Sequence, residues 1–234
     1  MLVRFWGTRG SLPVAPTAGI IRAKVAQALV AANGRRFEDE TEAQAYVAAE
    51  LSFAAGATYG GATSCVELKA GDGAYFICDM GSGLRSFGLD SIKRNADGHA
   101  KTYNFFLSHL HWDHIMGFPF FAPAFDPDAT IRIHSCHPDA EQALRRQQEE
   151  ISFPVPFDWL RADIQFVVLT PTNHTRSTAS RSRPSCSIIR TAATATASWT
   201  AKGARPFTAR TASTSFRRWR SRRPSSISSA PPIW

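Results

Sequence analysis

The stretch Tyr103-Asn104-Phe105-Phe106-Leu107-Ser108-His109-Leu110-His111-Trp112-Asp113-His114 decides how the chain is read. Its first part, Tyr103 to Leu107, is an apolar run of the kind a strand covered on both faces requires. Its second part places three histidines and an aspartate where that strand emerges. His109 and His111 are one residue apart, so in extended backbone their imidazoles point to the same side and can share one metal ion. Asp113 and His114 follow where the chain must turn, from which they reach a second ion about 3.5–4 Å from the first. With histidine only 7 of 234 residues, the pattern has odds on the order of 10⁻⁶ per window if the residues are unrelated surface side chains. Neutral imidazole and carboxylate suit zinc first, with manganese or iron as alternatives. Two divalent ions acidify a bound water to a pKa of roughly 7, so hydrolysis is the reaction class expected.

Working outward, Leu2 to Trp6 reads as a short strand ending in the tight turn Gly7-Thr8-Arg9-Gly10-Ser11. From Thr17 to Asn33 apolar residues recur at helical spacing, with Gly34 placed to close the helix in the left-handed conformation. A second helix is expected over Thr41 to Phe53, with Ala45, Tyr46, Ala49 and Phe53 on one face, and the two form one inserted hairpin, about residues 17–54. Cys65 to Leu68 and Ala74 to Cys78 read as paired strands about Gly71-Asp72-Gly73, which leaves Asp79 at a strand end. Ile131 to His134 and Ile164 to Leu169 are further strands, and Asp139 to Ile151 a polar helix.

With those motifs in place, the chain resembles the metallo-β-lactamase superfamily, in its phosphodiesterase-like branch of tRNase Z and cyclic-phosphate phosphodiesterases. The resemblance is carried by Phe5-Trp6-Gly7-Thr8-Arg9-Gly10-Ser11, Tyr59-Gly60-Gly61-Ala62-Thr63-Ser64-Cys65, Asp79-Met80-Gly81-Ser82-Gly83, Ser108 through Phe121 and Phe153-Pro154-Val155-Pro156-Phe157. It implies an α/β fold, the αββα sandwich, over residues 1–170. It also implies a first metal on His109 and His111, a second on Asp113 and His114, Asp79 supporting these ligands from behind, and Asp113 as the proton-handling catalytic residue. The implied substrate is a small-molecule or nucleotide phosphodiester, with a β-lactam as the lesser alternative.

The family's second half supplies a third histidine, a bridging aspartate and a last histidine, and none is recognisable here. His174 stands alone, and His134 and His137 fall too early, so none of the three is taken as a ligand. The tail explains the gap. The net charge is +8, yet no acidic residue follows Asp163, while Arg176 to Arg223 hold twelve of the 27 basic residues. The remainder therefore carries 15 − 19 = −4. Residues 171–234 are rich in Ser, Thr, Ala, Arg and Pro with no helical or strand period, and are expected to be a disordered low-complexity tail. GC-rich codons for Asn173 to Phe216, read in another frame, can encode a string containing HHPHGG and YSTDSEH, where the family's missing ligands belong. The tail is thus expected to be out of frame, which would leave an inactive, truncated chain. The rival is a true basic arm that binds nucleic acid through its arginines with Trp199 and Trp219 interleaved, a reading less favoured than the hydrolase.

The amino terminus shows no secretion signal and no run of 18 or more apolar residues occurs, so a cytoplasmic protein with no membrane partner is expected. Nothing in the sequence excludes a homodimer. Cys65, Cys78, Cys136 and Cys186 form no Cys-x-x-Cys pair, and each is expected to be a small buried hydrophobe rather than part of a disulfide framework.

Overall fold

A computed structural model describes residues 2–69 and 73–169, together with the backbone of Arg217–Arg218. In chain order its elements are β1 (Leu2–Gly7), α1 (Ala18–Ala32), α2 (Glu40–Ala49), α3 (Phe53–Gly56), β2 (Cys65–Lys69), β3 (Tyr75–Cys78), α4 (Leu84–Ala96), β4 (Thr102–Leu107), α5 (Trp112–Ile115), β5 (Thr130–Ser135), α6 (Ala140–Arg146) and β6 (Asp163–Val168). The six strands lie side by side in sequence order in one mixed sheet. β1, β2 and β3 pair antiparallel, and β3 to β6 run parallel. Arg217–Arg218 pairs antiparallel with β6. The expected mixed α/β class is therefore present. The expected tail lies, but for those two residues, outside the described ones.

The parallel half follows from the residues. β4 is buried along nearly its whole length. Tyr103, Phe105 and Leu107 face the main core with Ile77, Ile131, Ile133, Leu84, Phe87 and Phe121, while Phe106 joins Leu68, Ala74 and Phe76 in a smaller cluster. Period-two alternation puts the two sets on opposite faces of the sheet. Because β3 and β4 are parallel, a crossover must join them, and α4 is that crossover. Its polar residues also bind the sheet: Asn95 bridges the hydroxyls of Tyr75 (2.8 Å) and Tyr103 (2.7 Å), and Arg94 donates to the buried Glu67 (2.6 Å), which also accepts from Trp6 Nε1 (3.0 Å).

Several expectations need correction. α4 has no counterpart among the elements expected from the sequence, because only Leu84 and Phe87 of its large apolar residues enter the core, Leu89 and Ile92 being exposed and its polar residues serving the sheet. Thr41 to Phe53 is not one helix: α2 ends at Ala49, and Ser52 caps a separate α3 by accepting from Ala55 N (3.4 Å). Of its four expected face residues only Tyr46 is buried, against Phe37. The left-handed turn after α1 begins one residue before Gly34, at Asn33 (φ 46°), since asparagine tolerates that conformation. α6 is shorter than Asp139 to Ile151, its last part being turns. Cys136 is disulfide-bonded, against the expectation for it, because pairing depends on proximity in space that spacing along the chain does not give. Among the described residues no helix is long and apolar enough to cross a membrane.

Candidate metal centre at the carboxyl end of the sheet

The carboxyl ends of β3 and β4 lie side by side, with Cys78 opposite Phe106, so Asp79 and Ser108 leave the sheet together. In open sheets of this kind the carboxyl edge is where ligands bind. Four loops meet there: residues 7–11, 59–64, 79–83 and 108–117. They are pressed so closely that side chains do not fit between them. A Cβ on Gly117 would stand 2.0 Å from the Gly81 carbonyl oxygen, and one on Gly81 would stand 2.5 Å from the Asp113 carbonyl oxygen. Met80 and Gly117 seal the contact, with Met80 N donating to His114 O (2.8 Å) and Gly117 N to Met80 O (2.9 Å).

Asp79 is the hub. It is buried, and it holds a left-handed backbone (φ 61°) that costs energy for a residue with a Cβ. Its carboxylate accepts from Ser108 N (2.8 Å), Ser108 Oγ (2.7 Å) and Ser64 Oγ (3.1 Å), and lies 2.8 Å from His114 Nδ1. A carboxylate only accepts, so the His114 proton sits on Nδ1 and the Nε2 lone pair is left free. Ser108 gives its single proton to Asp79. Its oxygen, 3.0 Å from His109 Nδ1, therefore accepts from that imidazole, and His109 Nε2 is freed in the same way.

His111 precedes α5 in extended conformation, so the chain has turned before Asp113 and His114 enter the helix. The His109 ring lies 4.5 Å from the His111 ring and 4.0 Å from the His114 ring, centre to centre. His114 Nε2 lies 3.5 Å from Asp113 Oδ2. That same carboxylate oxygen accepts from Ser11 N (2.8 Å), with Ser11 also in left-handed backbone (φ 63°). The Ser11 amide lowers the Asp113 carboxyl from its ordinary value against the opposing effect of burial, and protonation of His114 or His109 would lower it further. Burial, with the neighbouring imidazoles of His114 and His111, lowers His109. Both shifts favour the forms that ligate cations, a carboxylate and a neutral imidazole.

The five residues singled out in the sequence, His109, His111, Asp113, His114 and Asp79, are thus brought to one place. Among the described residues, however, no group of three or more His, Cys, Asp or Glu side chains is disposed to hold a metal ion as it stands. The donor chemistry still fits one: two imidazoles with Nδ1 fixed and Nε2 free, a third imidazole beside them, and an ionised carboxylate. His134 is no part of the site, being stacked in the sheet on Phe106 (4.7 Å), and His137 binds Ser135 Oγ through its backbone (3.0 Å). His174 lies outside the described residues. Ser11, Ser64 and Ser108 went unassigned, although each stands in a quoted loop. Their roles come from the turn geometry of the backbone, and the signal in the sequence is slight: Ser11 and Ser64 end glycine-containing loops, while Ser108 is the first residue after β4. No family model matches the chain, and no curated protein or solved structure matches it significantly.

Proposed function

We propose that the protein is a metal-dependent hydrolase of the metallo-β-lactamase fold that acts on a phosphodiester. His109, His111, Asp113 and His114 hold two divalent ions, zinc first. The observation that carries this reading is the chain of contacts from Asp79 through the fixed imidazole of His114 to Asp113, a carboxylate–histidine arrangement that prepares a ring nitrogen for a cation. Bound ions of this kind polarise a phosphoryl oxygen and acidify a water. The protein's own part is to keep His109 and His114 in one tautomer through Ser108 and Asp79, and to hold Asp113 ionised through Ser11, ready to orient the attacking water or accept its proton. On this reading the six-stranded sheet is one layer of the αββα sandwich. The third histidine and bridging aspartate belong to a continuation that residues 171–234 replace through a shift of reading frame.

Zinc retention after dialysis, measured on this chain and on one with the alternative frame restored from about Thr170, tests the reading. The present chain is expected to hold zinc weakly, losing it further in His114→Ala. The restored chain is expected to hold two ions and to hydrolyse bis(p-nitrophenyl) phosphate. Zinc binding indifferent to both His109→Ala and His114→Ala would overturn the metal assignment, and turnover of a β-lactam alone would overturn the substrate class. Sequencing the codons of Phe166 to Ser177 tests the frame directly: no open alternative frame would return the tail to a genuine basic arm.

A further inference from the structure

The loop that carries Ser11 to Asp113 has a second side. Thr8 and Arg9, with Lys24 of α1, Phe53 of α3 and Tyr59, line an open cavity of about 510 Å³ between this loop and the helical insertion. That size is within the range of small-molecule sites. Its wall is fixed: Thr8 Oγ1 donates to Tyr59 O (3.1 Å), and the amides of Thr8 and Arg9 both donate to Ala62 O (3.0 Å each). Lys24 Nζ donates to Ala54 O and to Ala57 O (2.7 Å), which holds its charge at the cavity over the end of α3. Among the described residues Arg9 spends only Nε, on Gly60 O (3.4 Å), which leaves both of its Nη groups for a ligand. None of the described lining residues is acidic. The rings of Phe53 and Tyr59 lie 4.5 Å apart and are 51% and 77% exposed, so two packed aromatic rings offer their outer faces beside two cations.

We propose that this cavity binds a phosphate that carries an aromatic ring, as a nucleoside monophosphate does, with Arg9 and Lys24 on the phosphate and Tyr59 and Phe53 against the ring. Arginine forks suit phosphate oxygens, and exposed aromatic rings give any planar base a stacking surface. Arg9 is two residues from Ser11, a chain distance of about 7 Å at most, and Ser11 N donates to Asp113 Oδ2, so one loop serves both the cavity wall and the Asp113 carboxylate. The inference deepens the proposed function by giving the aromatic part of a phosphodiester substrate its own binding site on Arg9, Lys24, Phe53 and Tyr59, and rests on that function only for what is cleaved. The binding itself needs no metal.

The test is isothermal titration of the full chain, in EDTA, with AMP, phenyl phosphate, adenosine and inorganic phosphate. AMP and phenyl phosphate are expected to bind at least about tenfold more tightly than adenosine or phosphate alone, since each half supplies part of the affinity. Tyr59→Ala and Arg9→Gln should each weaken AMP by about tenfold. AMP well ahead of phenyl phosphate would point to a nucleotide, and equal affinities to an aryl ester; both outcomes support the shared chemistry. AMP binding no tighter than phosphate overturns the proposal, as does unchanged AMP affinity in Tyr59→Ala, a surface variant that leaves the core intact. Because the titration needs no metal, AMP binding together with a metal-loaded, restored-frame chain that fails to hydrolyse bis(p-nitrophenyl) phosphate would sink only the hydrolase reading, and hydrolysis of that diester without AMP binding only this one.

Discussion

Helices α1 and α4 are of similar length, 15 and 13 residues, but they stand in opposite relations to the sheet. α4 buries Leu84, Phe87, Gly88 and Ser91. α1 buries nothing: Ile20, Ile21, Val25, Leu29 and Val30 are all exposed. Connectivity accounts for the difference. α4 joins two parallel strands and must cross the sheet to do so, whereas α1 lies between β1 and β2, antiparallel neighbours that a two-residue turn could join. An insertion there is under no obligation to pack on the core. What α1 and α3 do instead is wall a cavity beside the loop that touches Asp113. The sheet and its tight loops hold His109, His114 and Asp113, and the insertion walls a cavity against the loop whose Ser11 touches Asp113.

The largest effect that could break this contrast is expected at the loops. Gly117→Ala places a methyl 2.0 Å from the Gly81 carbonyl oxygen, backbone against backbone, where no rotamer change helps. A loss of more than about 4 kcal/mol, or an insoluble chain, is expected. Gly19→Ala in α1 meets nothing closer than Thr17 Oγ1 at 3.7 Å, so it should be neutral or gain up to about 1 kcal/mol from helix propensity. Urea unfolding of the two variants compares them directly. Next in size, Phe87→Ala, which empties a site packed against Trp6, Tyr75 and Phe121, is expected to cost about 3–5 kcal/mol.

These cases also show which features are legible in a sequence. The six strands are readable because β1, β3 and β4 are mainly apolar runs while β2, β5 and β6 place apolar residues between polar ones, and the site is readable because three histidines and an aspartate fall within six positions, His109 to His114. α1 was readable as a helix from its period, but periodicity is a local property and does not say what a face will meet. α4 carries only two large apolar core residues, and Ser91, Arg94 and Asn95 gain their meaning from Tyr103, Glu67 and Tyr75, which are brought near only by folding. The same holds for Ser11 and Ser64. Their partners, Asp113 and Asp79, lie 102 and 15 residues away, and the contacts depend on left-handed backbone at Ser11 and Asp79 that no residue type announces.

A third prediction sharpens the contrast through pH. Burial, with Arg132 adding to it, pushes His134 down from 6.5 to about 4. Its ring is neutral in the sheet, while in the unfolded chain it takes up a proton at an ordinary pH. The unfolded state therefore binds more protons between pH 6.5 and 4, and the His134 contribution is present in full above 6.5 and lost as pH falls through that window. At about 1.4 kcal/mol per pKa step the loss is on the order of 3 kcal/mol. His134→Phe, which keeps a ring on Phe106, should flatten the stability–pH slope in that window relative to the unsubstituted chain. Equal slopes would mean that His134 is already hydrated in the folded protein.

The smallest expected effect lies on α1. Val30 is 79% exposed in the last turn of a helix that buries none of its residues. Val30→Ala therefore removes almost no burial, while alanine loses less side-chain freedom than a β-branched residue on entering a helix. The two terms leave a gain of about 0.5 kcal/mol or nothing at all, seen as a melting temperature unchanged or slightly raised. A loss above about 1 kcal/mol would contradict the assignment of α1 as an unpacked wall, because an exposed valine can cost that much only if something covers it in solution. Repeating the melt over a hundredfold range of protein concentration then separates the causes. A loss that grows with concentration means a second copy of the chain lies on α1, since association stabilises by mass action, and a loss independent of concentration means the chain covers α1 itself.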